Sequence, residues 1–170
     1  TKYQYSSAFP IDANLGAVGI VAGGQNNDSS GSVLNVIEKF LTAASTGNAT
    51  DFGDLTVARH ASSSMGNDTR AIFAGGWSNY SGTSRSNVID YITYATEGNA
   101  TDFGDVAATT SDANASCSNN VRGITFGGRL YSNGTLSNSI EYVTIASTGN
   151  AIDFGDLSIT PNTSANKARH

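Results

Sequence analysis

The octapeptide Gly47-Asn48-Ala49-Thr50-Asp51-Phe52-Gly53-Asp54 returns unchanged at Gly98–Asp105, and again at Gly149–Asp156 with one change, Ile152. The copies lie 51 residues apart both times, and a fixed period of that length marks a repeat architecture. Two further series keep the same order. Apolar runs end in diglycine at Ile20-Val21-Ala22-Gly23-Gly24, Ile72-Phe73-Ala74-Gly75-Gly76 and Ile124-Thr125-Phe126-Gly127-Gly128. Each is followed by a related tetrapeptide: Asn35-Val36-Ile37-Glu38, Asn87-Val88-Ile89-Asp90 and Asn138-Ser139-Ile140-Glu141. Three markers in one order, three times over, divide the chain into units 1–56, 57–107 and 108–157, with a remainder at 158–170.

Each unit reads as four strands. Residues 70–76 form an apolar run too short for a helix and closed by glycines, which suits a strand buried on both faces. Residues 87–95 are rich in β-branched and aromatic side chains, the composition of a pleated, half-buried surface. The Gly-Asn pairs at 47–48, 98–99 and 149–150 predict two-residue hairpins into short strands around Phe52, Phe103 and Phe154. Gly66-Asn67-Asp68 and Ser118-Asn119-Asn120 predict the hairpins that precede each diglycine strand, fed by Ser-rich strands near 59–64 and 111–116. No segment carries a helical apolar period.

Four antiparallel strands per unit is the pattern of a β-propeller blade. The residues resemble the kelch repeat: apolar residues before a diglycine, an Asn-Xaa-Ile-Asp-Xaa-Tyr strand, and a closing aromatic. Tyr91 and Tyr142 match the strand aromatic, where unit one has Lys39. Phe52, Phe103 and Phe154 stand where kelch has tryptophan, and Arg59 matches the arginine that opens the following unit. The phrase at 47–59 with Asn87-Val88-Ile89-Asp90-Tyr91 is similar to kelch-like repeat proteins of marine tailed phages, the cyanophage type. That resemblance implies an all-β, kelch-like propeller that is non-enzymatic and sits in a virion, or is otherwise secreted or on a cell surface. It implies a tail- or fibre-associated role in adhesion or assembly.

Composition narrows the partners. Charged residues are 14% and the net charge is −5, so no basic surface for nucleic acid phosphates can be built from Lys2, Lys39 and Lys167 and six arginines. No apolar run approaches the roughly 18 residues a membrane helix needs, so no membrane insertion is expected. The single Cys117 excludes an intrachain disulfide. An opening Thr1 implies a processed chain or a piece of a longer one.

Propellers close with about four to eight blades, so three blades form an open arc. If each open face left about 400 Å² of apolar surface in water, the cost would be of order 10 kcal/mol per face. That rivals the stability of a whole domain. Residues 158–170 occupy the first-strand position of a fourth blade and are a surplus joining strand. The expected partners are therefore a homo-oligomer or other virion proteins, with a host surface glycan or protein as ligand.

Candidate sites divide into structural and contact residues. Gly23, Gly24, Gly75, Gly76, Gly127 and Gly128, with Phe52, Phe103 and Phe154, define the repeat. Glu38, Asp90 and Glu141 sit in mid-strand and are read as partners of Arg59, Arg70 and Arg122 rather than as catalytic acids, because they recur evenly. Aspartates 51, 54, 102, 105, 153 and 156 supply too few oxygens per loop for calcium and are read as turn caps, so no metal and no cofactor is expected. His60 with Ser64 or Ser111 lacks a nucleophile elbow, and no catalytic residue is assigned. The loops after each diglycine, 25–32, 77–86 and 129–137, differ between units. They gather Trp77, Asn79, Tyr80 and Arg85, then Arg129, Tyr131 and Asn133, among Gly, Ser and Asn. Tyr, Trp and Arg in such company make contact surfaces for protein or sugar. A lectin-like propeller or a purely structural connector are the alternatives, and Trp77 as a lid between blades is the plain structural reading.

Overall fold

Alternating apolar residues and paired glycines resolve into three antiparallel meanders. The computed structural model describes residues 6–8, 18–26, 31–42, 46–107, 109–130, 132–133 and 135–160, with strand placement alone for 6–8 and 109–114. Sheet 1 is β1 (Ser6–Ala8), β2 (Val18–Gln25), β3 (Val33–Leu41) and β4 (Thr50–Asp54). Sheet 2 is β5 (Ser63–Gly66), β6 (Arg70–Ala74), β7 (Val88–Thr93) and β8 (Thr101–Asp105). Sheet 3 is β9 (Thr109–Ser118), β10 (Arg122–Leu130), β11 (Ser139–Thr144) and β12 (Ile152–Asp156). Within each sheet the strands neighbour one another in chain order, and there is no helix among the described residues. The all-β class expected from sequence is what the structure has.

The sheets stand side by side. Phe52 (5% exposed), Leu55, Ile20, Ala22 and Ile37 of sheet 1 meet Ala71, Phe73, Ile92 and Ala100 of sheet 2 in one core. Phe103 (3% exposed), Val106, Ile72, Ala74 and Ile89 of sheet 2 meet Val143, Ile145 and Ala151 of sheet 3 in a second. Two clusters of this size supply most of the stability, because burying one large apolar side chain gives about 1.5–3 kcal/mol. The first strands lie innermost, with β5 touching both β1 and β9. Their seam is polar: Ser116 Oγ donates to Ser64 O at 2.8 Å, and Asn67 Nδ2 donates to Asn120 O at 3.0 Å.

A shared irregularity aims the phenylalanines. The pairing of third and fourth strands skips one residue at the same place in every sheet, between Ile37/Glu38, Ile89/Asp90 and Ile140/Glu141. The skipped residue is Phe52, Phe103 or Phe154. A bulge re-aims its side chain, and in sheets 1 and 2 the ring packs against the neighbouring sheet. The diglycines have an equally local cause. A Cβ at Gly23 (φ +62) would stand 2.3 Å from Arg59 O, and Gly24 N donates to that oxygen at 2.9 Å. The chain leaving β4 thus passes over the sheet 1 diglycine on its way to β5.

Three sequence expectations need correction. The Gly-Asn pairs do not make two-residue hairpins: β7 and β8 are joined by residues 94–100. Gly98 N instead donates to Phe52 O at 2.8 Å and Ala100 N to Asp54 O at 2.8 Å, so the pair clamps one sheet to the previous one. Arg70 and Arg122 do not pair with the mid-strand carboxylates. They stack on Tyr91 and Tyr142, each 4.5 Å from the ring centroid. Phe154 does not pack between sheets, being 57% exposed. Of the remainder at 158–170, residues 158–160 are not strand and 161–170 lie outside the described residues.

Candidate functional site

The inter-sheet carboxylate is the most buried charge. Asp90 and Arg59 are both fully buried, with Arg59 Nη2 2.8 Å from Asp90 Oδ2. Thr56 Oγ1 donates to Asp90 Oδ1 at 2.5 Å and Thr56 N to Oδ2 at 3.2 Å. Arg59 Nη2 also donates to Phe73 O at 3.1 Å, and its Nε and Nη1 have no partner among the described residues. Burial pulls the guanidinium below the ordinary arginine range, opposed by the charge and hydrogen bond of Asp90. Arg59 hangs from sheet 1 by its backbone, donating to Leu34 O at 3.0 Å, while its side chain enters sheet 2. The expected arginine–carboxylate pairing between units is therefore present here. At the next junction Ala107 N donates to Glu141 Oε2 at 3.1 Å, the place Thr56 N holds on Asp90. Both contacts fix how one sheet is set against the next.

The loop after the second diglycine is built as a rigid unit. Trp77 exchanges backbone hydrogen bonds with His60, at 2.8 and 2.9 Å, and its ring lies 4.3 Å beneath the Arg85 guanidinium. Trp77 is 7% exposed, so the tryptophan is floor rather than surface. Asn79 Oδ1 accepts from Thr83 N and Ser84 N, both at 3.0 Å, and its Nδ2 donates to Thr83 Oγ1 at 2.7 Å. His60 Nε2 lies 3.2 Å from Asn79 O, an acceptor that selects the Nε2–H tautomer. Tyr80 tops the loop at 46% exposed, and a Cβ on Gly31 would come within 3.0 Å of its ring. The loops of sheets 1 and 2 thus meet.

The structure brings Trp77, Asn79, Tyr80 and Arg85 together. Arg129 and Asn133 sit on the equivalent hairpin of sheet 3, where Asn133 Oδ1 accepts from Thr135 N at 3.0 Å and Thr135 Oγ1 at 2.8 Å. Tyr131 lies outside the described residues. Sequence reasoning missed His60 and Gly31 as parts of the loop's support, since neither carries a local signal. Asp102 Oδ1 and Asp153 Oδ1 accept from Gly104 N and Gly155 N, at 3.2 and 3.1 Å, the turn-capping role expected for the repeated aspartates. Among the described residues no three His, Cys, Asp or Glu side chains gather to hold a metal.

These features define a class: an all-β protein of laterally packed, four-stranded antiparallel sheets, with variable loops at one end of the sheets. The chain matches no protein-family model and no curated protein. Among solved structures it is similar to one titled "Structure of YjhT", with a TM-score of 0.68 at 12% identity. The match covers 91% of this chain and 52% of that one, so the chain spans about half the length of that structure. At such low identity the likeness is one of fold.

Proposed function

We propose that the chain is a non-catalytic contact module, a kelch-like propeller arc that holds its diglycine loops as a binding face. The observation that carries this reading is the pre-organised 77–86 loop, braced by Asn79 and the Trp77–Arg85 stack, with Tyr80 46% exposed at its apex. A rigid aromatic on a fixed loop binds at low entropic cost, which is how contact surfaces gain affinity without a deep pocket. The likeness of the repeat to kelch-like proteins of tailed phages supports a virion setting, with adhesion to a host surface protein or glycan as the task. Because Trp77 is covered by Arg85, the contact residues are Tyr80 and Arg85, with Arg129 and Asn133 on the next hairpin.

The test is binding of the purified chain to a glycan array and to host envelope fractions. The expected outcome is a saturable signal that falls at least about tenfold in Tyr80→Ala, whose melting temperature stays unchanged, as for a hot-spot aromatic. A signal insensitive to Tyr80→Ala and Arg85→Ala, or no saturable signal up to millimolar ligand, overturns the contact reading in favour of a structural connector. A saturable glycan signal restricted to one sugar identifies the lectin-like version.

A further inference from the structure

We infer that a second copy of this chain docks its sheet 1 onto the open side of sheet 3, and that two such joints close two arcs into one ring. The inference goes beyond the loop-face reading and does not depend on what the loops bind. It rests on an interface that the described residues make twice, between sheets 1 and 2 and between sheets 2 and 3, and do not make at the outgoing side of sheet 3.

The outgoing face of each sheet uses five equivalent positions. In sheet 1 they are Ile20, Ala22, Ile37, Phe52 and Leu55, and in sheet 2 Ile72, Ala74, Ile89, Phe103 and Val106; all ten are at most 6% exposed. In sheet 3 the same positions hold Ile124, Phe126, Ile140, Phe154 and Leu157, none of which is buried. The residues remain as apolar as their counterparts, so the face is an interface with no other half among the described residues. The incoming side is matched. Ala100 (9% exposed) and Ala151 (7%) are buried against the preceding sheet, while their counterpart Ala49 is exposed. At one position bulk changes sides. Ala22 faces the core that Phe73 fills from sheet 2, whereas at the open joint Phe126 stands in the alanine's place and Val21 in the phenylalanine's.

The polar groups repeat in the same way. Gly98 N on Phe52 O and Gly149 N on Phe103 O measure 2.8 and 2.7 Å; Ala100 N on Asp54 O and Ala151 N on Asp105 O both measure 2.8 Å. Asp54 N and Asp105 N donate to Asn99 Oδ1 and Asn150 Oδ1 at 3.1 and 3.0 Å. The corresponding groups at the ends are Phe154 O, Asp156 O and Asp156 N on one side, and Gly47 N, Ala49 N and Asn48 Oδ1 on the other. A Cβ on Gly53 or Gly104 would strike the facing glycine backbone at 2.3 or 2.5 Å, whereas one on Gly155 meets nothing within 4 Å. A latch is also duplicated. Arg70, stacked on Tyr91, donates to Ile145 O across the joint at 3.0 Å. Arg122 is held on Tyr142 at the same 4.5 Å, and its guanidinium donates to nothing among the described residues. Its register partner in a second copy is the Thr42 carbonyl. Likewise Ser158 of one copy takes the place of Thr56 and Ala107, facing Glu38 of the other as those face Asp90 and Glu141.

Outgoing and incoming faces differ, so the contact is head-to-tail, and it ends without free faces only if the rotation closes. Two three-sheet arcs supply six sheets, within the range at which propellers close. The fold neighbour, of which this chain spans 52%, continues for about as much chain again.

The experiment is solution mass by light scattering of the 170-residue chain, wild type and variants, with circular dichroism as the folding control. The expected wild-type mass is two copies of 17.5 kDa. Ala49→Arg, on the incoming side, and Arg122→Ala, on the outgoing side, each touch both joints of the dimer. Each is expected to weaken dimerisation about a hundredfold, tenfold per joint, with spectra unchanged. Ala49→Arg and Phe154→Asp chains are each expected to be single alone and to pair when mixed. The mixture gathers both substitutions in one joint, where the second costs little once the contact is lost, and keeps the other joint intact. A single-copy wild type, an open-ended series of masses, or variants that dimerise like wild type would each overturn the inference. Should Phe154→Asp fail to fold, Arg122→Ala replaces it in the mixing experiment.

Discussion

Replacing Asp90 by asparagine tests the buried pair with almost no change of shape. The carboxylate accepts from Arg59 Nη2, Thr56 N and Thr56 Oγ1, and neither it nor Arg59 reaches solvent. Among the described residues Arg59 Nε and Nη1 have no partner, and its burial is compensated there by Asp90 and Phe73 O. Removing the charge strands a guanidinium in the core, and breaking a buried pair from one side costs about 3–5 kcal/mol. For a chain of this size each kcal/mol lowers the melting temperature by about 2–4 °C, so the expected drop is about 6–20 °C. The assay is thermal and urea unfolding at one fixed protein concentration, since association shifts apparent stability. The double variant Arg59→Met/Asp90→Leu removes both charges and is expected to recover most of the loss, because apolar replacement of a buried pair is often neutral or better. A single variant within about 1 kcal/mol of wild type, or a double as damaged as the sum of its singles, refutes the reasoning.

Three further outcomes follow from the same contacts. Phe103→Ala opens a cavity in the core between sheets 2 and 3 and is expected to cost about 3–5 kcal/mol by urea unfolding, losing sheet 3 order first by hydrogen exchange. Gly104→Ala puts a methyl 2.5 Å from the Gly149 backbone at φ +146, and is expected to destabilise more than Phe103→Ala does; equal stability to wild type would show that the clamp yields. Tyr94 has a buried hydroxyl with no partner among the described residues, and burial, then Asp68, pushes its ionisation up. The neutral form is favoured by the fold, so stability holds below about pH 10, where the unfolded phenol stays neutral, and falls as pH rises above it. Tyr94→Phe is expected to flatten that alkaline loss and to raise stability at pH 7 by about 1 kcal/mol, read from chemical denaturation at pH 7 and pH 11.

The strand pattern was legible because its causes are local. Diglycine after an apolar run, the Asn67 and Asn119 turns, and the β-branched and aromatic content of 87–95 all act within a few residues. The pairing of Arg59 with a mid-strand carboxylate was legible too, since a repeating charge inside a strand needs a partner. Arg70 and Arg122 misled because a tyrosine face and a carboxylate both attract a guanidinium, and the choice depends on a cross-strand neighbour. The Gly-Asn pairs misled for a similar reason. Locally they carry a hairpin signal, but Gly98 N finds Phe52 O in the preceding sheet.

What the amino-acid order determined alone is the unit: its length, its four strands and the place of its phenylalanine. Tertiary structure decided what that phenylalanine does. Thr50-Asp51-Phe52-Gly53-Asp54 and Ile152-Asp153-Phe154-Gly155-Asp156 differ at one residue, yet one ring is 5% exposed and the other 57%. Their local backbone is the same bulge, so no local rule separates them. Burial is a property of two surfaces, and only in three dimensions does sheet 1 have a neighbour on its outgoing side while sheet 3 has none among the described residues.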